Sequence, residues 1–105
     1  MATGEVPVPK VYEDEVLFAI NDINPRAPTH VLIIPKAHIP SARELTSEHA
    51  GMLGHVFATA AMIAKDIGVS ERGYRLTFNV GEEGGQTIYH IHLHLLGGRR
   101  LGPEG

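Results

Sequence analysis

Tyr89-His90-Ile91-His92-Leu93-His94-Leu95-Leu96 is the stretch on which the reading of this chain turns. Three histidines alternate with Ile91 and Leu93. Successive side chains of a β-strand point to opposite faces. A strand here therefore puts all three imidazoles on one face and leaves Tyr89, Ile91, Leu93 and Leu95 to pack on a core. Alternation this strict in aliphatic residues favours strand over helix. At about 3.3 Å rise per residue, neighbouring imidazoles stand roughly 6.5–7 Å apart along the strand, within reach of one small polar ligand. A row of imidazoles is costly to bury without partners. It marks a site, against the plainer reading of a solvent-facing strand that happens to use histidine.

The segment before it is Gly81-Glu82-Glu83-Gly84-Gly85-Gln86-Thr87. Glycines allow backbone N–H groups to converge on an anion, although a flexible connection would use them as well. Further upstream, residues 74–80 form a predicted strand with Tyr74, Leu76, Phe78 and Val80 on one face and Arg75, Thr77 and Asn79 on the other. The two strands and their loop make a hairpin too long for a minimal turn. A helix is predicted from Thr46 or Ser47, a good N-cap with Glu48 in the first turn, to about Asp66. Leu53, Val56, Phe57, Ala60, Ile63, Ala64 and Ile67 recur on it at intervals of three and four, and Gly68 fits its C-cap. Met52 and Met62 read as core or edge filler, and His49 and His55 as structural or exposed. Strands are also predicted over 10–13, 15–20 and 31–34. Asn21-Asp22-Ile23-Asn24-Pro25 is a turn after the second of these, and Pro35 ends the third. Asp22 can bond its own backbone there or accept from a ligand's hydroxyls. His30 and His38, single histidines at strand ends, carry little functional weight by position alone.

The 105 residues allow one domain with one core, with an extended arm over 1–9 and an exposed tail over 99–105. A formal net charge of −3 argues against a general grip on nucleic acid. With no cysteine, neither a disulfide framework nor a cysteine zinc site can exist. No apolar run reaches the ~20 residues of a membrane span, and no signal peptide is legible. A cytoplasmic protein with no membrane association is the default expectation.

Three chemistries fit the histidine face. Neutral imidazoles could bind a divalent metal, with His90, His92 and His30 as donors. One imidazole could attack phosphorus, dividing a displacement into two steps, while the others and the loop N–H groups hold oxygens and leaving group. Or the face could bind a phosphate ligand and turn nothing over. The glycine loop favours the last two.

The run His90-Ile91-His92-Leu93-His94-Leu95, followed by Leu96-Gly97-Gly98-Arg99, resembles the signature of the histidine triad (HIT) family, and its Gly-Gly-Arg ending resembles the Hint branch of purine nucleoside phosphoramidases. Residues 21–25 with Ala27-Pro28-Thr29-His30, residues 34–39, Asn79-Val80-Gly81 and Gly84-Gly85-Gln86-Thr87 resemble further family segments in order. The resemblance implies an α+β fold, a five-stranded antiparallel sheet with one long helix packed on it, and a homodimer joining two sheets edge to edge. It implies an AMP- or GMP-like purine nucleotide substrate and hydrolysis of nucleoside 5′-phosphoramidates, with no metal and no cofactor. It further implies that His92 is the nucleophile, oriented by the backbone carbonyl and packing of His90. His94 and Thr87 would touch the phosphoryl oxygen and leaving group, and His30 would complete the polar relay. Asn79 and the backbone of Gly85, Gln86 and Thr87 would hold phosphate oxygens. Asp22 would accept from the ribose, with Ile23 against base or sugar. A slow nucleotide-binding module and a dinucleoside polyphosphate hydrolase are the rival activities.

The sequence departs from that branch in three places. It shows no counterpart of the further N-terminal helix with which such chains usually begin. Thr87 stands where serine is common. The tail after Gly98 lacks a tryptophan often found there.

Overall fold

Parity along the strands decides which residues meet in this protein. The computed structural model describes residues 9–103, so the arm expected over 1–9 lies outside it apart from Pro9, and the tail is described as far as Pro103. Five strands, β1 (Lys10–Glu13), β2 (Leu17–Asn21), β3 (Thr29–Pro35), β4 (Tyr74–Thr77) and β5 (Leu93–Gly97), form one antiparallel sheet in the order β1-β2-β3-β5-β4. The hairpin partners β4 and β5 pair as the sequence suggests, with Thr77 opposite His94. On its other side β5 pairs with β3, leaving β4 and β1 as the edges.

The single long helix, α1 (Ala50–Ile67), is entered through a 3-10 turn at Ser47–His49. Thr46 and His49 cap that turn reciprocally: Thr46 Oγ1 accepts from the backbone beyond it, and His49 Nδ1 accepts from the Thr46 N–H at 2.9 Å. Gly68 ends α1 in the left-handed conformation, φ 98°. Its Val56, Ala60, Ile63 and Ala64 bury against Leu17, Ala19, Val31, Ile33, Leu93 and Leu95, the odd-numbered residues of β2, β3 and β5. The even-numbered residues Phe18, Ile20, Leu32 and Ile34 form a second cluster on the opposite face. Among the described residues no helix is long and apolar enough to cross a membrane.

Several expectations shift. The histidine strand begins at Leu93, not Tyr89, because its pairing with β3 starts at Ile33↔Leu93. Residues 88–92 are held instead by single contacts such as the Ile91 N–H to the Ile39 carbonyl (2.7 Å). The alternation survives without the strand: Ile91, Leu93 and Leu95 are buried and His90, His92 and His94 half-buried, but Tyr89 is exposed rather than in the core. β4 stops at Thr77, three residues before the predicted end. On α1, Phe57 and Ile67 are exposed at 42% and 43%, and Thr59 is buried in their stead. His55 is structural as expected. Its Nε2 meets Asp14 Oδ2 at 2.7 Å, and Asp14 also receives the Tyr12 hydroxyl and the Val16 and Leu17 N–H groups, tying the β1–β2 turn to the helix. These partners, His55 first, hold the Asp14 carboxyl well below the usual range.

Candidate active site

The face of the sheet away from α1 carries Ile20, Leu32 and His94 side by side across β2, β3 and β5, in the register Ile20↔Leu32↔His94. Above them opens a cavity of about 780 Å³. One wall is the loop after β2, with Asp22, Ile23, Asn24 and Arg26. The other is the loop between β4 and β5, with Asn79, Gly85, Gln86, Thr87 and Ile88. His92 and His94 lie between them. Eight of the ten residues expected at the site therefore line one cavity. His30 lies just beneath it, 3% exposed, and His90 lies outside it.

Hydrogen bonds fix the protons on these imidazoles. The Arg26 N–H donates to His30 Nδ1 (3.1 Å), so neutral His30 carries its proton on Nε2. That Nε2–H donates to His94 Nδ1 (2.9 Å), with Asp22 Oδ2 at 3.4 Å as a further acceptor. His94 in turn carries its proton on Nε2; Asn79 Nδ2, also a donor, stands 3.5 Å from it, and turning that amide to present Oδ1 satisfies both groups. His92 is set the opposite way. Its Nδ1–H donates to the His90 carbonyl (2.7 Å), leaving Nε2 as a bare lone pair. The rings of His92 and His94 have centroids 4.9 Å apart. One cavity thus holds an imidazole with a bare Nε2 lone pair and an imidazole N–H donor side by side.

Burial holds both inner histidines neutral. Desolvation pushes His30 down, and it pushes His94 down to about 4, helped by the neighbouring His92 and His30. Between pH 6.5 and about 4 the unfolded chain binds a proton at His94 that the native chain does not. Stability from this group is present above that window and is lost as pH falls through it. In an NMR titration the His94 ring is expected to change state near pH 4. A midpoint at the ordinary histidine value would show that its burial is relieved in solution.

His90 stands apart from the other two. Its Nε2–H donates to the Pro35 carbonyl (2.8 Å), and its Nδ1 accepts from His38 Nδ1–H (3.0 Å). The sequence assigned no role to His38, and no local signal links residues 52 apart. The metal set His90, His92 and His30 is not brought together. Among the described residues, the group whose ligand atoms do converge, within 4.8 Å, is Asp22, His30 and His94. In it His30 Nε2 and His94 Nδ1 face each other with a proton between them.

The glycine loop is also built differently from expectation. Gly85 N–H and Gln86 N–H donate to the carbonyls of Glu82 and Gly81, so neither points at a ligand. The Gln86 side chain, 6% exposed, is spent inside the loop. Its Oε1 accepts from Gly81 N–H (3.0 Å) and its Nε2 donates to the carbonyls of Pro40 (2.8 Å) and Ile88 (3.1 Å). Gln86 shapes the loop, and the polar side chains this wall offers the cavity are Asn79 and Thr87. Gly84 packs so closely on the Val80 backbone that a Cβ there would stand 2.9 Å from Val80 N and nearer still to its carbonyl oxygen.

Residues 3–101 match the model of the HIT domain. The chain is 50% identical over 99 residues to the purine nucleoside phosphoramidase of Escherichia coli K12, covering 94% of this chain and 83% of that one. Its fold superposes on a HIT family hydrolase from Legionella pneumophila with a TM-score of 0.92 at 49% identity, over 95% of this chain and 89% of that one. A histidine triad protein from Clostridium difficile gives the same TM-score at 38% identity, covering 99% and 90%.

Proposed function

The chain belongs to the HIT domain family, and on that premise we propose that it hydrolyses the P–N bond of purine nucleoside 5′-phosphoramidates through a nucleotidyl-histidine intermediate. The observation that carries this reading is the opposite protonation of His92 and His94 in one cavity. The Nε2 lone pair of His92 attacks the α-phosphorus, and the P–N bond breaks. The amine leaves with a proton taken from solvent at the cavity mouth. The nucleotidyl-imidazolium so formed keeps its Nδ1–H on the His90 carbonyl, which lies where the new positive charge is shared. His94 Nε2–H, Asn79 and Thr87 donate to the phosphoryl oxygens. Water then adds to phosphorus and releases its proton to solvent, and His92 departs as a neutral imidazole with AMP or GMP set free. No step requires a metal or cofactor.

Asp22 accepts from the ribose hydroxyls. Its Oδ1 takes the Asn24 N–H (2.9 Å), so its own turn holds it in place for that task. Ile23, 86% exposed yet on the cavity wall, gains by covering a base or sugar, and Ile20 and Leu32 form an apolar floor. A homodimer through the open edge of β4 completes the reading. A strand edge left unpaired is a template for a second copy, and Tyr74, Leu76 and Phe78 on and beside it are only partly buried.

The test is a panel of adenosine and guanosine 5′-phosphoramidates against diadenosine polyphosphates, read as nucleotide release. Faster turnover of the phosphoramidates is the expected outcome. Preference for the polyphosphates would replace the reading with the rival hydrolase. AMP binding with no turnover would leave a binding module.

A further inference from the structure

Among the described residues lining the cavity, Arg26 is the one arginine or lysine and Asp22 the one carboxylate. The main chain of Arg26 is pinned from both sides: its N–H donates to His30 Nδ1 (3.1 Å) and its carbonyl accepts from Arg99 Nη2 (2.8 Å). Pro25 precedes it, and Ala27, which is buried, and the exposed Pro28 follow, so little freedom is left in the segment. The guanidinium itself makes no ion pair or hydrogen bond among the described residues. Its charge is nevertheless felt inside the site, where it helps to keep His30 and His94 unprotonated. Asp22 makes no ion pair with it: its Oδ1 takes the Asn24 N–H and its Oδ2 faces His30.

The α-phosphate, in the mechanism above, is received by the opposite wall and by His94, all uncharged donors. That leaves a full positive charge on a fixed loop of the ribose-side wall without a role. A guanidinium on a rigid backbone is suited to bidentate capture of a planar or tetrahedral anion. We infer that Arg26 is a specificity-determining residue that receives a second anionic group of the substrate, a carboxylate or phosphate beyond the α-phosphate. This deepens the phosphoramidase reading and rests on it for the identity of the substrate. Two sources present that chemistry: a carboxylate on the leaving amine, as in an amino-acid phosphoramidate, or a phosphate on the ribose.

The experiment compares matched pairs on the full chain. Adenosine 5′-phosphoramidates of glycine and glycinamide differ only in the carboxylate. Adenosine 3′,5′-bisphosphate and AMP differ only in the ribose phosphate. The quantity read is the ratio within each pair, as kcat/KM for the first and Kd for the second, in wild type, Arg26→Gln and Arg26→Lys. Wild type is expected to favour the anionic member of one pair by about tenfold or more, the scale of a charged hydrogen bond. Arg26→Gln should bring that ratio close to one, and Arg26→Lys should restore part of it. The pair that responds names the source. A ratio near one for both pairs in wild type, or a preference that survives Arg26→Gln, overturns the inference. Should no phosphoramidate be cleaved, the phosphoramidase reading fails. Calorimetric Kd values for both pairs, the first as intact ligands, then decide the role of Arg26 separately.

Discussion

Replacing His92 by glycine is expected to lower turnover of an adenosine phosphoramidate by roughly three orders of magnitude or more, the scale of losing a covalent nucleophile. AMP affinity should stay within about tenfold of wild type, since Asp22, Asn79, Thr87 and His94 remain. The two effects separate because the lone pair of His92 Nε2 is used only when the new bond forms, whereas the surrounding donors hold substrate and product alike. Glycine also vacates the space of the ring beside His94, so added imidazole should restore part of the rate. Phosphorus-31 spectra of wild type quenched during turnover should show a protein-bound phosphoramidate that is missing in His92→Gly. Near-normal turnover in that variant would remove the covalent mechanism.

The second large effect is on stability. Leu95 is fully buried in β5, between β3 and β4, opposite Val31 and Leu76. Its side chain belongs to the core that α1 covers. Leu95→Ala removes buried methyl and methylene groups and leaves a cavity that a strand flanked on both sides is poorly able to collapse, at a cost of about 3 kcal/mol. For a domain of this size that lowers Tm by roughly 12–24 °C. Differential scanning calorimetry at fixed protein concentration measures it. A loss below about 1 kcal/mol would mean that the core repacks around the gap. Because Leu95 follows His94 on the opposite face of the same strand, the variant also tests how firmly the site depends on the core behind it.

What could be read from the sequence was periodic or local. The alternation at Ile91, Leu93 and Leu95, the three-and-four spacing from Val56 to Ala64, the glycine cap at Gly68 and the proline that ends β3 each depend on neighbours within a turn or a strand. What could not be read depends on partners far along the chain. His90 left the row because the Pro35 carbonyl and His38, 55 and 52 residues away, hold its ring. Gln86 looked like a ligand contact, yet its amide bonds to Pro40, 46 residues away, and closes its own loop. Phe57 and Ile67 fit the apolar stripe of the helix and are still exposed: Phe57, at one side of the stripe, meets Phe78 edge-on with ring centroids 6.1 Å apart, and Ile67 is the last residue of α1, while Thr59 at the other side is buried. Arg26 carried no pattern at all; only its place on the wall beside Asp22 draws notice to it.

The proton on His92 is held by a peptide oxygen rather than by a side chain. No codon change at position 90 can delete that oxygen; a substitution can only displace it by disturbing the packing that holds residue 90 in place. The most exacting electronic requirement of the site is thus stored in the one part of the polymer common to all twenty amino acids. A side-chain change can reach it only indirectly, so a variant at position 90 that keeps its backbone in place should retain the bare Nε2 lone pair of His92.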